Sequence, residues 1–373
     1  MQLKIQREHL LKPLQAIVNV TDRRHTMPIL ANIMLDANAN NVSITGTDLE
    51  AELIAKLPLL EPVDSSLKTT ISAKKLLDIC RVAPEETTLT FKEDNNIIKI
   101  RVGGANYTLA TLSAEGFPYI DWNDQATIID FTLPQSVLRE LINSTYFAIA
   151  QQDTRPSLNG MLFEIKNDTL RNVTSDGHRL AINGTKLENI MRADVTQAIV
   201  PRKSIVEIFK LLPSSNKEDV QIKISKNHVR FIWPNVVFTS KLIDSKFPDY
   251  ERNIPKSNDK SVLIDTTDLL NALGRLAILS NDLFCAVQFN IKPGQLELMT
   301  WNQEQEKAEE LIPINYQGSE LKVNFNIKYL QDILTNIKTE KLSMQLKDAF
   351  TSVIVKEHAG NHNNVHVLMP LCV

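Results

Sequence analysis

Apolar residues return at helical spacing in residues 200–212, where Ile205, Val206, Ile208, Phe209 and Leu212 fall at i, i+1, i+3, i+4 and i+7. Lys203, Glu207 and Lys210 take the opposite face, so the spacing predicts a helix with one packed side and one side open to water or a partner. The same pattern stands 129 positions earlier, at 71–81, and 125 positions later, at 325–334. Lys74, Lys203 and Lys328 stay in register, as do Asp78, Glu207 and Asp332. A period this long means that whole domains are repeated rather than supersecondary units.

Other elements repeat around these helices. Each third opens on a helical pattern, at 9–14, 136–141 and 268–273, and Pro13 predicts a kink in the first. Alternating strands follow at 29–35, 158–165 and 286–291, with Ile33/Leu35, Met161/Phe163 and Val287/Phe289 on one side. Turn-forming residues at 38–41, 166–169 and 292–295 make these into hairpins. The second strand of each ends in a polar cluster, at 47–50, 175–179 and 301–306, and a further strand hairpin lies after each basic helix, at 89–112, 220–242 and 342–368. The expected class is α+β, three similar domains each with two helices packed on antiparallel sheet. Phe117-Pro118 and Phe247-Pro248 close the first two copies, and the polar segments after them put the domains at 1–126, 127–255 and 256–373.

Composition narrows the class. A chain of 373 residues with 43% hydrophobic and 23% charged residues is ordinary for a globular protein, and each third can bury its own core. No apolar run approaches the roughly 18 residues of a membrane span, and Lys4, Arg7, Glu8 and Lys12 break any signal-peptide pattern, so a cytoplasmic protein is expected. Cys80, Cys285 and Cys372 are far apart and read as reduced thiols. A net charge of -3 argues against a surface that grips nucleic acid all over, but it leaves room for a local basic face.

The triplication, together with Thr-Gly-Thr-Asp-Leu-Glu (45–50), Asp-Gly-His-Arg-Leu-Ala (176–181), Phe-Thr-Ser-Lys-Leu-Ile-Asp (238–244), Phe-Pro-Asp-Tyr (247–250) and the terminal Met369-Pro370, resembles the bacterial sliding clamps, the beta subunits of replicative DNA polymerase III. The resemblance covers the entire chain. It implies a dimeric six-domain ring of the DNA clamp fold, with helices lining the central hole and duplex DNA threaded through it independent of sequence. It further implies a processivity factor without catalysis of its own or a cofactor. Its partners would be the replicative polymerase alpha subunit, the clamp loader, and other polymerases and repair proteins that dock through short peptides bearing Gln, Leu and Phe.

Residue by residue, the resemblance assigns DNA contact to Arg24, Lys74, Arg81, Gln152, Arg202 and Lys203, four of which also have the helix-face argument. It assigns a partner-peptide pocket with a floor of Leu158, Ser175, Gly177, His178, Arg179, Leu180, Pro248, Phe350, Ser352, Val367 and Leu368. The rim would be Arg252, Asn253, Asn326, Tyr329, Met369, Pro370, Leu371, Cys372 and Val373. Ser175 stands where the family usually has Thr, Asn253 where an apolar residue is common, and Cys372 where arginine is frequent. The dimer contact would join edge strands at 105–112 and 306–311 through Tyr107, Leu109, Ile278 and Leu279, with Glu306 and Glu309 on the acidic side. The facing edge, arginine-rich in the family, keeps only Lys99 and Arg101.

Other chemistry finds little support. No Gly-x-x-x-x-Gly-Lys-Ser/Thr run exists for a nucleotide phosphate. Ser175, Asp176 and His178 suggest a hydrolase, but they are neighbours on one strand end without a nucleophile elbow. His358, His362 and His366 have helical metal-ligand spacing, but the Gly and Asn residues between them predict an exposed loop. Glu304, Glu306, Glu309 and Glu310 read as a solvated strand rather than a Mg²⁺ site. A hydrolase using Asp176 and His178, or a scaffold that binds only proteins, are the alternatives to a clamp.

Overall fold

The computed structural model describes residues 2–21, 27–39, 41–62, 66–122, 126–188, 190, 195–213, 218–280, 285–360 and 363–372. Each third supplies two helices and eight strands among these residues. The helices are α1 (Arg7–Val20) and α2 (Ala73–Val82), α3 (Gln135–Asn143) and α4 (Arg202–Leu211), and α5 (Thr266–Leu276) and α6 (Ile327–Thr335). The three basic helices lie where the periodicity places them. Asp265 caps α5 by accepting from the Thr267 and Asp268 amides at 3.0 Å, and Asn326 caps α6 by accepting from the Tyr329 amide at 3.2 Å. The helix α1 continues through Pro13. None of the described helices is long and apolar enough to cross a membrane.

Among the described residues, all strand pairings are antiparallel. The segments read as single hairpins after the basic helices are three-stranded meanders, for example Thr88–Asp94, Ile97–Val102 and Ala105–Ala110. Strands from neighbouring thirds then share sheets. Ala51–Leu57 pairs with Val236–Lys241, making one eight-stranded sheet from the first and central thirds. Arg179–Lys186 pairs with Val365–Leu368, making another from the central and last thirds. Among the described residues there are also two four-stranded sheets, one in the first third and one in the last.

This pairing decides how the chain divides. It forms two compact units, one built mainly from 1–136 and 203–242, the other mainly from 137–187 and 243–373, so the central third contributes to both. In the second unit Leu269, Leu273, Leu330 and Ile333 from the helices pack against Phe289 and Phe325, whose rings meet edge to face at 5.2 Å. A separate apolar cluster covers the other face of the central sheet, drawing together Leu158, Leu162, Val173, Leu180, Phe247, Tyr250 and Val367. The strand Gly160–Lys166 is therefore buried on both faces up to Ile165, where alternation predicted one packed side.

Two further positions differ from expectation. Glu207, placed by periodicity on the open face of α4, is buried; it accepts from the Asn19 side-chain amide at 3.1 Å and from Lys210 at 2.8 Å. These partners offset the desolvation of its carboxylate. His366 lies not in an exposed loop but within the strand Val365–Leu368, fully buried, with neither ring nitrogen hydrogen-bonded. His358 is exposed, and His362 lies outside the described residues.

Candidate functional site

Residues 175–179 close a tight turn between two strands of the second unit. Ser175 Oγ accepts from the Gly177 amide at 3.1 Å and donates to the Arg179 carbonyl at 2.7 Å. Asp176 Oδ1 accepts from the amides of His178 and Arg179, and its Oδ2 from Arg179 Nε at 2.9 Å. Gly177 sits at φ +90°, where a side chain would be strained, and an added Cβ would meet Arg155 Nη2 at 2.7 Å. The first third builds the same turn, Thr47 Oγ1 accepting from Leu49 and donating to Ala51, and Asp48 Oδ1 accepting from Glu50 and Ala51. Ser175 and Asp176 thus spend their oxygens on local backbone and on Arg179, and no Ser–His–Asp relay forms.

Arg179 organises what surrounds this turn. Its Nη1 donates to Asp332 on α6 at 2.6 Å and its Nη2 to the Phe147 carbonyl at 2.9 Å, while the guanidinium lies 4.3 Å from the centre of the Tyr329 ring. His178 stacks on Tyr329 at 6.3 Å. Burial, reinforced by the Asp176 carboxylate, pushes the Tyr329 phenol above its ordinary pKa. The C-terminal segment closes the same side, its Met369 amide donating to the His178 carbonyl at 3.0 Å and its Leu371 amide to the Asn324 carbonyl at 2.8 Å.

Beside the turn opens a cavity of about 260 Å³. Of the residues assigned to a peptide pocket, it brings together Leu158, Ser175, Gly177, His178, Arg179, Leu180, Pro248, Asn253, Ser352, Val367 and Met369. Arg155, Phe247 and Tyr250 line it too and were not assigned. Phe247 was legible as the partner of Pro248 in the domain-closing motif, and Tyr250 follows three residues on. Arg155 grips Asp153 through two hydrogen bonds of 2.9 Å, which hold that carboxyl far below its usual range.

Several assigned residues lie elsewhere. Leu368 is fully buried in the core of the last third, because successive strand residues face opposite sides and Val367 takes the cavity side. Phe350 is 78% exposed and does not line the cavity, and Arg252 reaches into solvent to pair with Asp249 at 2.7 Å. The Asn326 side-chain oxygen Oδ1 is engaged in capping α6, and Tyr329 stands behind His178. Pro370, Leu371 and Cys372 continue the tail outside the cavity lining, and Val373 lies outside the described residues.

The cationic residues divide between the two units. In the first, Lys74 is exposed, Arg81 lies 3.7 Å from Asp78, and Lys203 pairs with the buried carboxylate of Asp48. In the second, Arg202 donates to the Ile149 carbonyl at 3.0 Å, and Gln152 is exposed at φ +56°. Arg24 lies outside the described residues.

The residues assigned to a dimer contact are accessible. Tyr107 and Leu109 are half-buried on Ala105–Ala110, Ile278 is 81% exposed just after α5, and Leu279 is half-buried. On the strand Lys307–Pro313, Glu309 pairs with Lys307 and Glu310 with Arg275, while Glu306 just before it accepts from Asn302 at 2.6 Å. Leu311, which was not assigned, is exposed on the same strand.

Comparison with known proteins covers the chain from end to end. Family profiles match the N-terminal domain of the DNA polymerase III beta subunit at residues 1–121, its central domain at 132–249 and its C-terminal domain at 251–372. The beta sliding clamp of Pseudomonas putida is 42% identical over 371 residues, and that of Escherichia coli strain K12 38%, each with both chains fully covered. The crystal structure of the Pseudomonas aeruginosa beta subunit superposes with a TM-score of 0.95 at 40% identity, both chains fully covered. A Bartonella birtlesii clamp solved bound to griselimycin superposes at 0.94 with 33% identity, again with full coverage of both. With its three domains all matched, the chain belongs to the DNA polymerase III beta subunits, the beta sliding clamps.

Proposed function

We propose that this protein is a DNA sliding clamp: two copies close head to tail into a ring of six domains, 1–126, 127–255 and 256–373 in each. The ring encircles duplex DNA without regard to sequence and tethers the replicative polymerase and repair proteins to it. It acts in the cytoplasm, is opened by a clamp loader, and itself catalyses nothing.

One observation carries this reading. Ala51–Leu57 of the first third pairs with the last strand of the central third, and Arg179–Lys186 of the central third pairs with the last strand of the last. The repeat leaves two equivalents over: Lys307–Pro313 in the last third and Ala105–Ala110 in the first, each the outermost strand of its sheet. Joining the leftover edges between two copies repeats the internal pairing and closes a ring by two equal contacts. Tyr107, Leu109, Ile278 and Leu279 supply its apolar centre. Sequence-independent contact then falls to Arg24, Lys74, Arg81, Gln152, Arg202 and Lys203, and topology holds the ring where affinity is modest.

The cavity beside residues 175–179 is the proposed seat of partner peptides, with Val367, Leu180 and Met369 receiving apolar anchors. Because Ser175 and Asp176 are spent on their own turn, a hydrolase using Asp176 and His178 has no support in the geometry. Light scattering at micromolar concentration tests the ring: a dimer is expected, converted to monomer by Ile278→Asp with Leu311→Asp, whereas a wild-type monomer would sink it.

A further inference from the structure

A second cavity of about 480 Å³ lies in the same unit as the peptide cavity, and Tyr250 lines both. The Tyr250 side chain is buried and fixed, its hydroxyl donating to Glu164 at 2.5 Å, so it forms a rigid wall between the two. Ile182, Ile254 and Val365 line the second cavity and belong to the apolar cluster that also holds Leu158, Leu180 and Val367 of the first. One apolar base therefore runs under both.

The charge of the second cavity has a definite sign. Arg171, Lys186 and Lys256 line it against a single acid, Glu251, which already pairs with Arg171 at 3.2 Å. Lys186 and Lys256 are exposed and take part in no ion pair among the described residues. The charged lining residues of the peptide cavity are, by contrast, committed: Arg155 to Asp153, and Arg179 to Asp176 and Asp332.

From the shared wall, the continuous base and the two uncommitted ammonium groups, we infer that the second cavity is an extension subsite for partner peptides, taking acidic residues that flank the anchored segment. This rests on the peptide-docking reading of the first cavity. An extended chain advances about 3.3 Å per residue, so a few flanking residues suffice to pass Tyr250. Charge pairs at such a rim contribute modestly and act mainly on association rate and salt dependence.

Fluorescence anisotropy with the full-length protein tests this. Three probes share one labelled core peptide with Gln, Leu and Phe anchors: the core alone, the core with an aspartate tail at one end, and the core with that tail at the other. Serine-tailed peptides serve as controls. At about 50 mM salt, where rim charges are weakly screened, one aspartate-tailed peptide should bind about five-fold tighter than its serine control. The advantage should vanish in the Lys186→Ser, Lys256→Ser double variant, while the core peptide binds that variant unchanged, which also shows it to be folded. Equal binding of aspartate and serine tails at both ends overturns the inference, as does an advantage that survives in the double variant. A core peptide that fails to bind the wild type overturns the docking reading itself, and the subsite falls with it.

Discussion

Arg179 donates to Asp332 at 2.6 Å, tying the turn of the central third to α6 of the last. The arginine side chain is only 9% exposed but Asp332 is 46% exposed, so the two partners are not equivalent. Removing the acid leaves Arg179 with Asp176, the Phe147 carbonyl and the faces of Phe147 and Tyr329. Removing the arginine takes the guanidinium from all of these at once and leaves the Phe147 carbonyl and Asp176 Oδ2 without that donor. Asp332→Asn is expected to cost under about 1 kcal/mol and Arg179→Ala about 2–3 kcal/mol. Urea unfolding of the two variants checks the order; equal losses would contradict it.

His366 gives a pH dependence of known sign. Burial lowers its pKa from 6.5 to about 4. The unfolded chain takes up the proton first, so this contribution is intact above pH 6.5 and is lost as pH falls toward 4. The loss amounts to about 2 kcal/mol at pH 5 and about 3 kcal/mol in full. His366→Leu should remove this part of the acid sensitivity and, by deleting two unpartnered ring nitrogens, stabilise the fold at pH 7. Parallel urea titrations at pH 7 and 5 compare the two proteins, and an identical pH slope would refute the assignment.

Lys74 and Lys203 look interchangeable in the repeat but differ in what they hold. Lys74 makes no ion pair among the described residues, whereas Lys203 pairs with Asp48, whose side chain is 7% exposed. Lys74→Glu should change stability by less than about 0.5 kcal/mol. Lys203→Glu sets a second carboxylate against a buried one and should cost about 1–2 kcal/mol. Both should weaken retention on DNA. Thermal unfolding distinguishes them, and equal midpoints would show that the Asp48 contact contributes nothing.

Helix positions and the repeat were legible because helical period and register survive in exposed and half-buried elements. Period-two reading failed where both faces of a strand are covered: Met161, Leu162 and Phe163 are all buried because the central sheet carries an extra apolar cluster outside. It also missed Ala51–Leu57 and Arg179–Lys186, each of which pairs with a strand of its own third on one edge and with a strand of another third on the other. The pairings between thirds leave no local signal. In the cavity, Gly177, Pro248 and Met369 were reachable by resemblance, but Leu368 and Phe350 needed side-chain direction to be placed. Glu207 is buried and hydrogen-bonded to Asn19, 188 positions away, a contact that local periodicity does not report.

The tail offers a test that separates docking from ring closure. Met369 lines the cavity and its amide is bonded to the His178 carbonyl, while the outer strands Ala105–Ala110 and Lys307–Pro313 do not include it. Deleting residues 369–373 should therefore abolish binding of a polymerase-derived peptide in calorimetry and leave the dimer intact by light scattering. Unchanged peptide affinity would remove the tail from the site.

The claim that topology holds this protein on DNA is tested most directly by retention on circular DNA. The protein is loaded onto nicked circles with a clamp loader and ATP, and the bound fraction is followed through gel filtration before and after one double-strand cut. The account predicts that it stays with the intact circle at moderate salt and leaves within minutes once the circle is cut, because phosphate contacts alone are weak and salt-dependent. Equal retention on circular and linear DNA, or none on either, would contradict it.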